Sequence, residues 1–199
     1  MSDLTLYSAN PSRGVTNQWL LEELNVPYAL KLLNLDNNEH KSPEYLAINP
    51  MGKVPTLCHG DTVVTESAAI NMYLAELYPE KGLGVPVGSP LRGEYLRWCF
   101  YAPVTMESAI VAKALDLTHP DYQPFADVEV VADTLRDVIG EREYIVGDTF
   151  TAADIAVGSA IFWGHKLMPV LPKYPELVAY LARIESRPAW QTMRMSSDS

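Results

Sequence analysis

Apolar and polar residues alternate over Leu4-Thr5-Leu6-Tyr7, a strand rhythm. From Arg13 to Leu24 the apolar residues Val15, Trp19, Leu20 and Leu24 recur at helical spacing. The same reading predicts a strand over Tyr28–Leu33, a short helical or irregular segment over Pro43–Ile48, and strands at Pro55–Cys58 and Thr62–Val64 around the turn His59-Gly60-Asp61. A helix over Ser67–Tyr78 follows. That order, βαβ and then ββα, predicts a mixed four-stranded sheet. From Pro79 to Pro90 the chain is too rich in glycine and proline for either element. Beyond it no convincing alternation remains and the pattern is helical, with stops near Thr118-His119-Pro120 and from Met168 to Pro175. The expected division is 1–80 for the sheet domain, 81–90 for a linker and 91–199 for an all-helical domain.

Within the helical part, Thr151-Ala152-Ala153-Asp154 is a capping box, with Phe150 and Ile155 placed for a hydrophobic staple. The box opens a run from Ile155 to Trp163 that is apolar on nearly all sides, as a buried helix requires. Its expected role is folding rather than chemistry.

Composition narrows the function classes. The chain has 199 residues, 48% of them hydrophobic, enough for one large core or two modest ones. A formal net charge of −10 argues against nucleic acid as a partner, which calls for a basic stripe. There is no apolar stretch of membrane-spanning length and no signal-peptide pattern at Met1-Ser2-Asp3, so a cytoplasmic location is expected. Cys58 and Cys99 lie far apart in apolar runs without a C-x-x-C pair and read as reduced, buried thiols. His40, His59, His119 and His165 show no ligand spacing with one another or with a cysteine, so no metal is expected.

The chemistry concentrates in Asn49-Pro50-Met51-Gly52-Lys53-Val54-Pro55-Thr56-Leu57, followed after a turn by Glu66-Ser67-Ala68-Ala69-Ile70. Pro55 cannot donate to a ladder, so a strand starting there is not an ordinary central strand. A cis Val54–Pro55 bond, the only kind adopted cheaply, would turn the Val54 N–H and C=O toward an extended ligand. A trans proline in a surface loop is the plainer reading. Ser67 reads as the N-cap of a helix whose unpaired N–H groups and dipole suit a carboxylate. His40, Lys41 and Lys53 supply local positive charge in an acidic protein, or are solvated surface charges.

Together the Val-Pro and Glu-Ser motifs resemble the glutathione site of the glutathione transferase family, and the resemblance covers essentially the whole chain. It implies a thioredoxin-like domain joined to an all-helical domain, glutathione as co-substrate, no metal, and a homodimer. By resemblance Val54, before cis-Pro55, pairs with the cysteinyl part of glutathione. Ser67 and its neighbouring amides hold the γ-glutamyl carboxylate, and Glu66 faces the γ-glutamyl amine. His40, Lys41 and Lys53 hold the glycyl carboxylate.

The reacting thiol needs help. With a pKa near ~8.5 it is only a few per cent ionised at pH 7, and lowering that value by about two units stabilises the thiolate by roughly 2.7 kcal/mol. A hydroxyl at a helix N-terminus can do much of this. Ser12, just before the first helix, is the chosen donor; aligning tyrosine-type members instead puts the hydroxyl on Tyr7. Otherwise Ser12 is a simple cap and Tyr7 a packed strand aromatic.

Trp98, Phe100, Tyr101, Met106 and Trp163 are candidates to wall a pocket for an electrophilic apolar substrate between the domains, with only one or two of them expected to line it. The leading reading is a detoxifying transferase that joins the glutathione thiolate to an electrophile. A glutathione-dependent isomerase, dehalogenase or ether-cleaving enzyme, and a non-catalytic binding or regulatory protein on the same scaffold, are the alternatives.

Overall fold

The computed structural model describes residues 3–117, 123–140 and 142–197. The helix stop expected at Thr118-His119-Pro120 lies outside them. The chain forms two compact units, one of Met1–Lys81 with Pro188–Ser199 and one of Gly82–Arg187.

In the first unit, alternation buries Leu4, Leu6 and Ser8 of β1 (Leu4–Ser8) on one face and leaves Thr5 and Tyr7 half-buried on the other. β1 pairs in parallel with β2 (Ala29–Leu32) and antiparallel with β3 (Thr56–His59). β3 pairs antiparallel with β4 (Thr62–Thr65), giving the order β2-β1-β3-β4. Pro55 stands just outside the ladder, so β3 is central after all and loses no hydrogen bond to it. Helices α1 (Gly14–Leu24) and α3 (Ser67–Leu77), with the single turn α2 (Pro43–Leu46) between them in sequence, complete the βαβ and ββα halves. Trp19, Leu20, Leu57, Ile70 and Leu74 have no exposed surface and form the core with Leu6.

The second unit is helical: α4 (Arg92–Tyr101), α5 (Glu107–Ala114), α6 (Val128–Ile139), α7 (Ala152–Phe162) and α8 (Pro175–Glu185). α4 runs into α5 through a π-helical turn at Ala102–Met106, where Pro103 has no N–H to continue the regular ladder. Every residue of α7 from Ala152 to Ile161 is buried, as its all-round apolarity predicts. The mixed sheet and the helical second unit match the expected fold class.

Two boundaries differ from those expected. Residues 82–90 are not a free linker: Leu83 and Val85 are buried, and the Leu83 carbonyl accepts the Ala152 N–H at 2.8 Å. The last helix, α9 (Pro188–Ser197), groups with the first unit because it packs on α1, with the Trp190 ring edge-on to Trp19 at 4.9 Å. An aromatic pair of that kind holds the helix to the sheet unit.

His165 lies buried in a second π-helical turn, Trp163–Leu167, and its Nε2–H donates to the Pro172 carbonyl at 3.1 Å. Burial pulls its pKa below the usual value, and the Lys173 and Lys166 charges add to this. The unfolded chain therefore takes up the proton first. Stability is full above a pH of about 6.5 and falls as the pH drops toward the lower folded-state value. The urea midpoint of the wild type is expected to fall between pH 7 and pH 5 more steeply than that of His165→Gln. Parallel curves would contradict this.

Candidate active site

The loop from β1 to α1 is shaped by a close approach. A Cβ on Gly14 would lie 2.1 Å from Ser8 Oγ and 2.8 Å from Ser8 Cβ, so only glycine lets the start of α1 reach the end of β1. The Asn10–Pro11 peptide in this loop is cis. Arg13 takes the N-cap position without a side-chain capping bond, so Ser12 is not the cap itself. Its Oγ instead accepts the Gly14 N–H at 3.0 Å and the Ala9 N–H at 3.3 Å. A serine hydroxyl has two lone pairs and one proton. With both lone pairs engaged, Ser12 has its proton left to donate, from a half-buried position at a helix N-terminus.

Tyr7 pairs with Thr56, next to the Val54–Pro55 segment. It belongs to the sheet face opposite Ser8, where its hydroxyl accepts from Lys31 Nζ at 3.1 Å and its ring lies 5.5 Å from that of Tyr45.

The Val54–Pro55 peptide is cis, and neither the N–H nor the C=O of Val54 pairs with another backbone group among the described residues. The segment is clamped from behind by Tyr45 and Asn49, both buried. Tyr45 donates to the Lys53 carbonyl, Asn49 Nδ2 donates to that carbonyl at 2.9 Å and to Thr56 Oγ1 at 3.0 Å, and the Thr56 hydroxyl lies 2.8 Å from the Tyr45 oxygen. Because Tyr45 spends its proton on Lys53, Thr56 is the donor in the last contact. Burial raises the Tyr45 pKa, which keeps the phenol protonated for that role. Neither Tyr45 nor Asn49 was singled out by sequence reasoning, since a tyrosine and an asparagine four residues apart carry no signal before the loop folds back over them.

His40, Lys41 and Lys53 come together around Gly52. At φ +57 a Cβ there would stand 2.7 Å from both the His40 carbonyl and Lys41 Nζ, so glycine is required twice over. Lys41 Nζ donates to the Met51 carbonyl at 3.1 Å. Lys53 is exposed, and His40 is half-buried with a buried Nδ1 that has no partner among the described residues.

At the other end of the hairpin Glu66, not Ser67, takes the N-cap position of α3, and it makes no side-chain capping bond. Ser67 is the first helical residue, so the helix starts one place earlier than a Ser67 cap would have it. Glu66 has φ +69 and ψ 120, a conformation costly for a residue with a side chain. That backbone turns the chain sharply into the helix and leaves Glu66 exposed beside the first N–H groups of α3.

In the helical unit, Trp163 lines an apolar cavity of about 250 Å³ with Glu107, Val111, Leu117 and Phe125. Trp98 and Met106, two of the five candidates of which only one or two are expected to line a pocket, are fully buried. Large apolar residues at helical spacing serve a core and a cleft equally well, and these two face inward. Tyr101 is half-buried, edge-on to Trp98 at 5.0 Å, and Phe100 is 49% exposed. Cys99 is buried, which pushes its thiol up to about 12, whereas Cys58 is only half-buried, contrary to expectation. Among the described residues no three His, Cys, Asp or Glu side chains gather as metal ligands, and no helix is long and apolar enough to cross a membrane.

Comparison with known proteins gives a consistent result. Residues 2–76 match the family model described as Glutathione S-transferase, N-terminal domain, and residues 124–188 the one described as Glutathione S-transferase, C-terminal domain. Glutathione S-transferase 1 of Schizosaccharomyces pombe is 32% identical over 183 residues, 84% of this chain and 77% of that protein. A glutathione transferase homologue from Sulfitobacter, solved with bound glutathione, is 26% identical with a TM-score of 0.81, covering 98% of this chain and 99% of that one. The theta class glutathione S-transferase of Xanthomonas axonopodis pv. citri, also with glutathione bound, is 28% identical with a TM-score of 0.80, covering 98% of each chain.

Proposed function

This chain belongs to the glutathione S-transferase family, and from that membership we propose that Ser12 activates the thiol of glutathione for attack on an electrophilic apolar substrate. The observation that carries the assignment is the Ser12 hydroxyl, whose lone pairs are occupied by the Ala9 and Gly14 N–H groups. A hydroxyl held in this way donates to an anion, and the N-terminal dipole of α1 adds to the stabilisation. The Tyr7 hydroxyl instead accepts from Lys31 Nζ at 3.1 Å, and the choice of Ser12 over it rests on the helix-start donors around Ser12.

Glutathione supplies the sulfur nucleophile, whose bond to the electrophilic carbon forms as a leaving group departs with its electron pair or as the adduct takes up a proton. The protein's residues hold the tripeptide at three places. Val54 offers its unpaired N–H and C=O to the cysteinyl backbone beside Pro55. Ser67 and the first amides of α3 receive the γ-glutamyl carboxylate, and Glu66 faces the γ-glutamyl amine. His40, Lys41 and Lys53, gathered around Gly52, are the donors for the glycyl carboxylate. Fixing the thiol against Ser12 in this way contributes an entropic advantage as well as affinity.

We assign recognition of the apolar electrophile to the helical unit, where Trp163 lines the apolar cavity. The protein acts as a homodimer in the cytoplasm, in detoxification. The isomerase, dehalogenase, ether-cleaving and non-catalytic readings are not favoured, since the named relatives are transferases.

The test is a pH titration of thiolate ultraviolet absorbance for glutathione bound to the protein, against free glutathione. The bound thiol pKa is expected to fall by about two units. Binding without a shift would return the case to a non-catalytic scaffold.

A further inference from the structure

The N-terminal turns of α1 and α3 are joined by one buried side chain. Asn17 has no exposed surface, and its Nδ2 donates to the Ser67 carbonyl at 2.9 Å and to Asn71 Oδ1 at 2.7 Å. Both partners are acceptors, so the amide orientation is determined: reversing it would set Oδ1 against two oxygens. In this orientation Asn17 Oδ1 is buried and accepts nothing among the described residues. Leaving an acceptor unpaired inside a core is costly, and an apolar side chain at position 17 would avoid it. The arrangement therefore asks for a reason other than stability.

What Asn17 holds is the first residue of α3. The Ser67 carbonyl lies immediately after Glu66, whose φ of +69 persists only if the surrounding structure enforces it. Asn17 itself sits on the first turn of α1, five residues after Ser12. One amide thus links the helix start that presents the Ser12 proton to the helix start that presents the α3 amides.

We propose that Asn17 is a positioning residue that sets the Glu66–Ser67 receptor in register with Ser12, so that a ligand carboxylate bound at α3 brings its thiol to the hydroxyl. The proposal rests on the γ-glutamyl reading of Glu66–Ser67 given above. It touches neither the sulfur nor the electrophile.

The test compares the two halves of the buried pair. Asn17→Ala removes the bond to Ser67, while Asn71→Ala leaves that bond and removes only the second acceptor. Both are expected to lower the thermal midpoint. Only Asn17→Ala is expected to raise KM for glutathione, by about tenfold, the equivalent of one ordinary hydrogen bond, and to lower kcat at saturating glutathione with it, while KM for the electrophile stays within about twofold of wild type. Asn71→Ala is expected to keep KM for glutathione within about twofold. Equal KM changes in the two variants, or an unchanged KM in Asn17→Ala, would overturn the proposal. If Asn17→Ala does not fold, Asn17→Ser, which is shorter but keeps a polar group, takes its place; failure of both to fold overturns the proposal in favour of a purely structural pair. Ser67→Ala reports separately on the γ-glutamyl reading. Wild-type glutathione affinity in that variant counts against the reading, whatever Asn17→Ala does.

Discussion

Replacing Ser12 by alanine is expected to reduce turnover at pH 7 by about 30- to 100-fold while leaving glutathione affinity within about twofold. The variant loses one hydrogen bond to a charged sulfur, worth roughly 1.5–3 kcal/mol. Without it the bound thiol pKa rises by about two units, and the ionised fraction at neutral pH drops from a majority to a few per cent. Turnover should recover as the pH is raised toward 9, because hydroxide then does what Ser12 did. That recovery separates loss of thiolate from loss of geometry. The backbone donors Ala9 N–H and Gly14 N–H lose their acceptor as well, so a modest fall in thermal midpoint should accompany the kinetic effect. Tyr7→Phe is the control, since the Tyr7 hydroxyl accepts from Lys31 and its ring packs near Tyr45. Abolished activity in Tyr7→Phe together with unchanged activity in Ser12→Ala would reverse the assignment.

The second large effect belongs to the helical unit. Asp154 is fully buried, and its two oxygens accept from the Ile145 N–H at 2.8 Å, the Thr151 N–H at 2.8 Å, the Thr151 hydroxyl at 3.1 Å and the Tyr180 hydroxyl at 2.8 Å. It closes the capping box of α7 and ties that helix start to the segment before it and to α8. Asp154→Ala leaves several buried donors without an acceptor, at about 1–3 kcal/mol each. The expected loss is roughly 3–6 kcal/mol, a large share of the ~5–15 kcal/mol that holds a typical domain, and the thermal midpoint should fall by about 10 °C or more. Asp154→Asn is expected to lose at least half as much, because its NH2 group turns a donor toward donors. A thermal midpoint within about 2 °C of wild type in Asp154→Ala would show that these bonds are replaced by water.

Several of these features were legible before folding, for reasons that are local. Strand alternation at Leu4–Tyr7, helical spacing through Trp19 and Leu24, and the Thr151–Asp154 box each involve residues within one or two turns of each other. The Val54-Pro55 and Glu66-Ser67 pairs were legible through resemblance. The cap itself falls one position before the expected Ser67, since the positive φ of Glu66 leaves no trace in residue type. Helical spacing names a face and not what covers it, so the sequence leaves open which of the five apolar candidates are core; Trp98 and Met106 are buried.

The sequence by itself determined the order of strands and helices and the buried helix α7, and through resemblance it named a short list of candidate site residues. Tertiary structure alone decided how those groups are used. The approach of Gly14 to Ser8 creates the donors that occupy Ser12, the clamp of Tyr45 and Asn49 presents Val54, and Asn17 reaches Ser67 across fifty positions. Each depends on a distance between segments remote in the chain. A hydrogen bond acts over about 3 Å, and sequence spacing carries no information at that scale once the chain has turned back on itself.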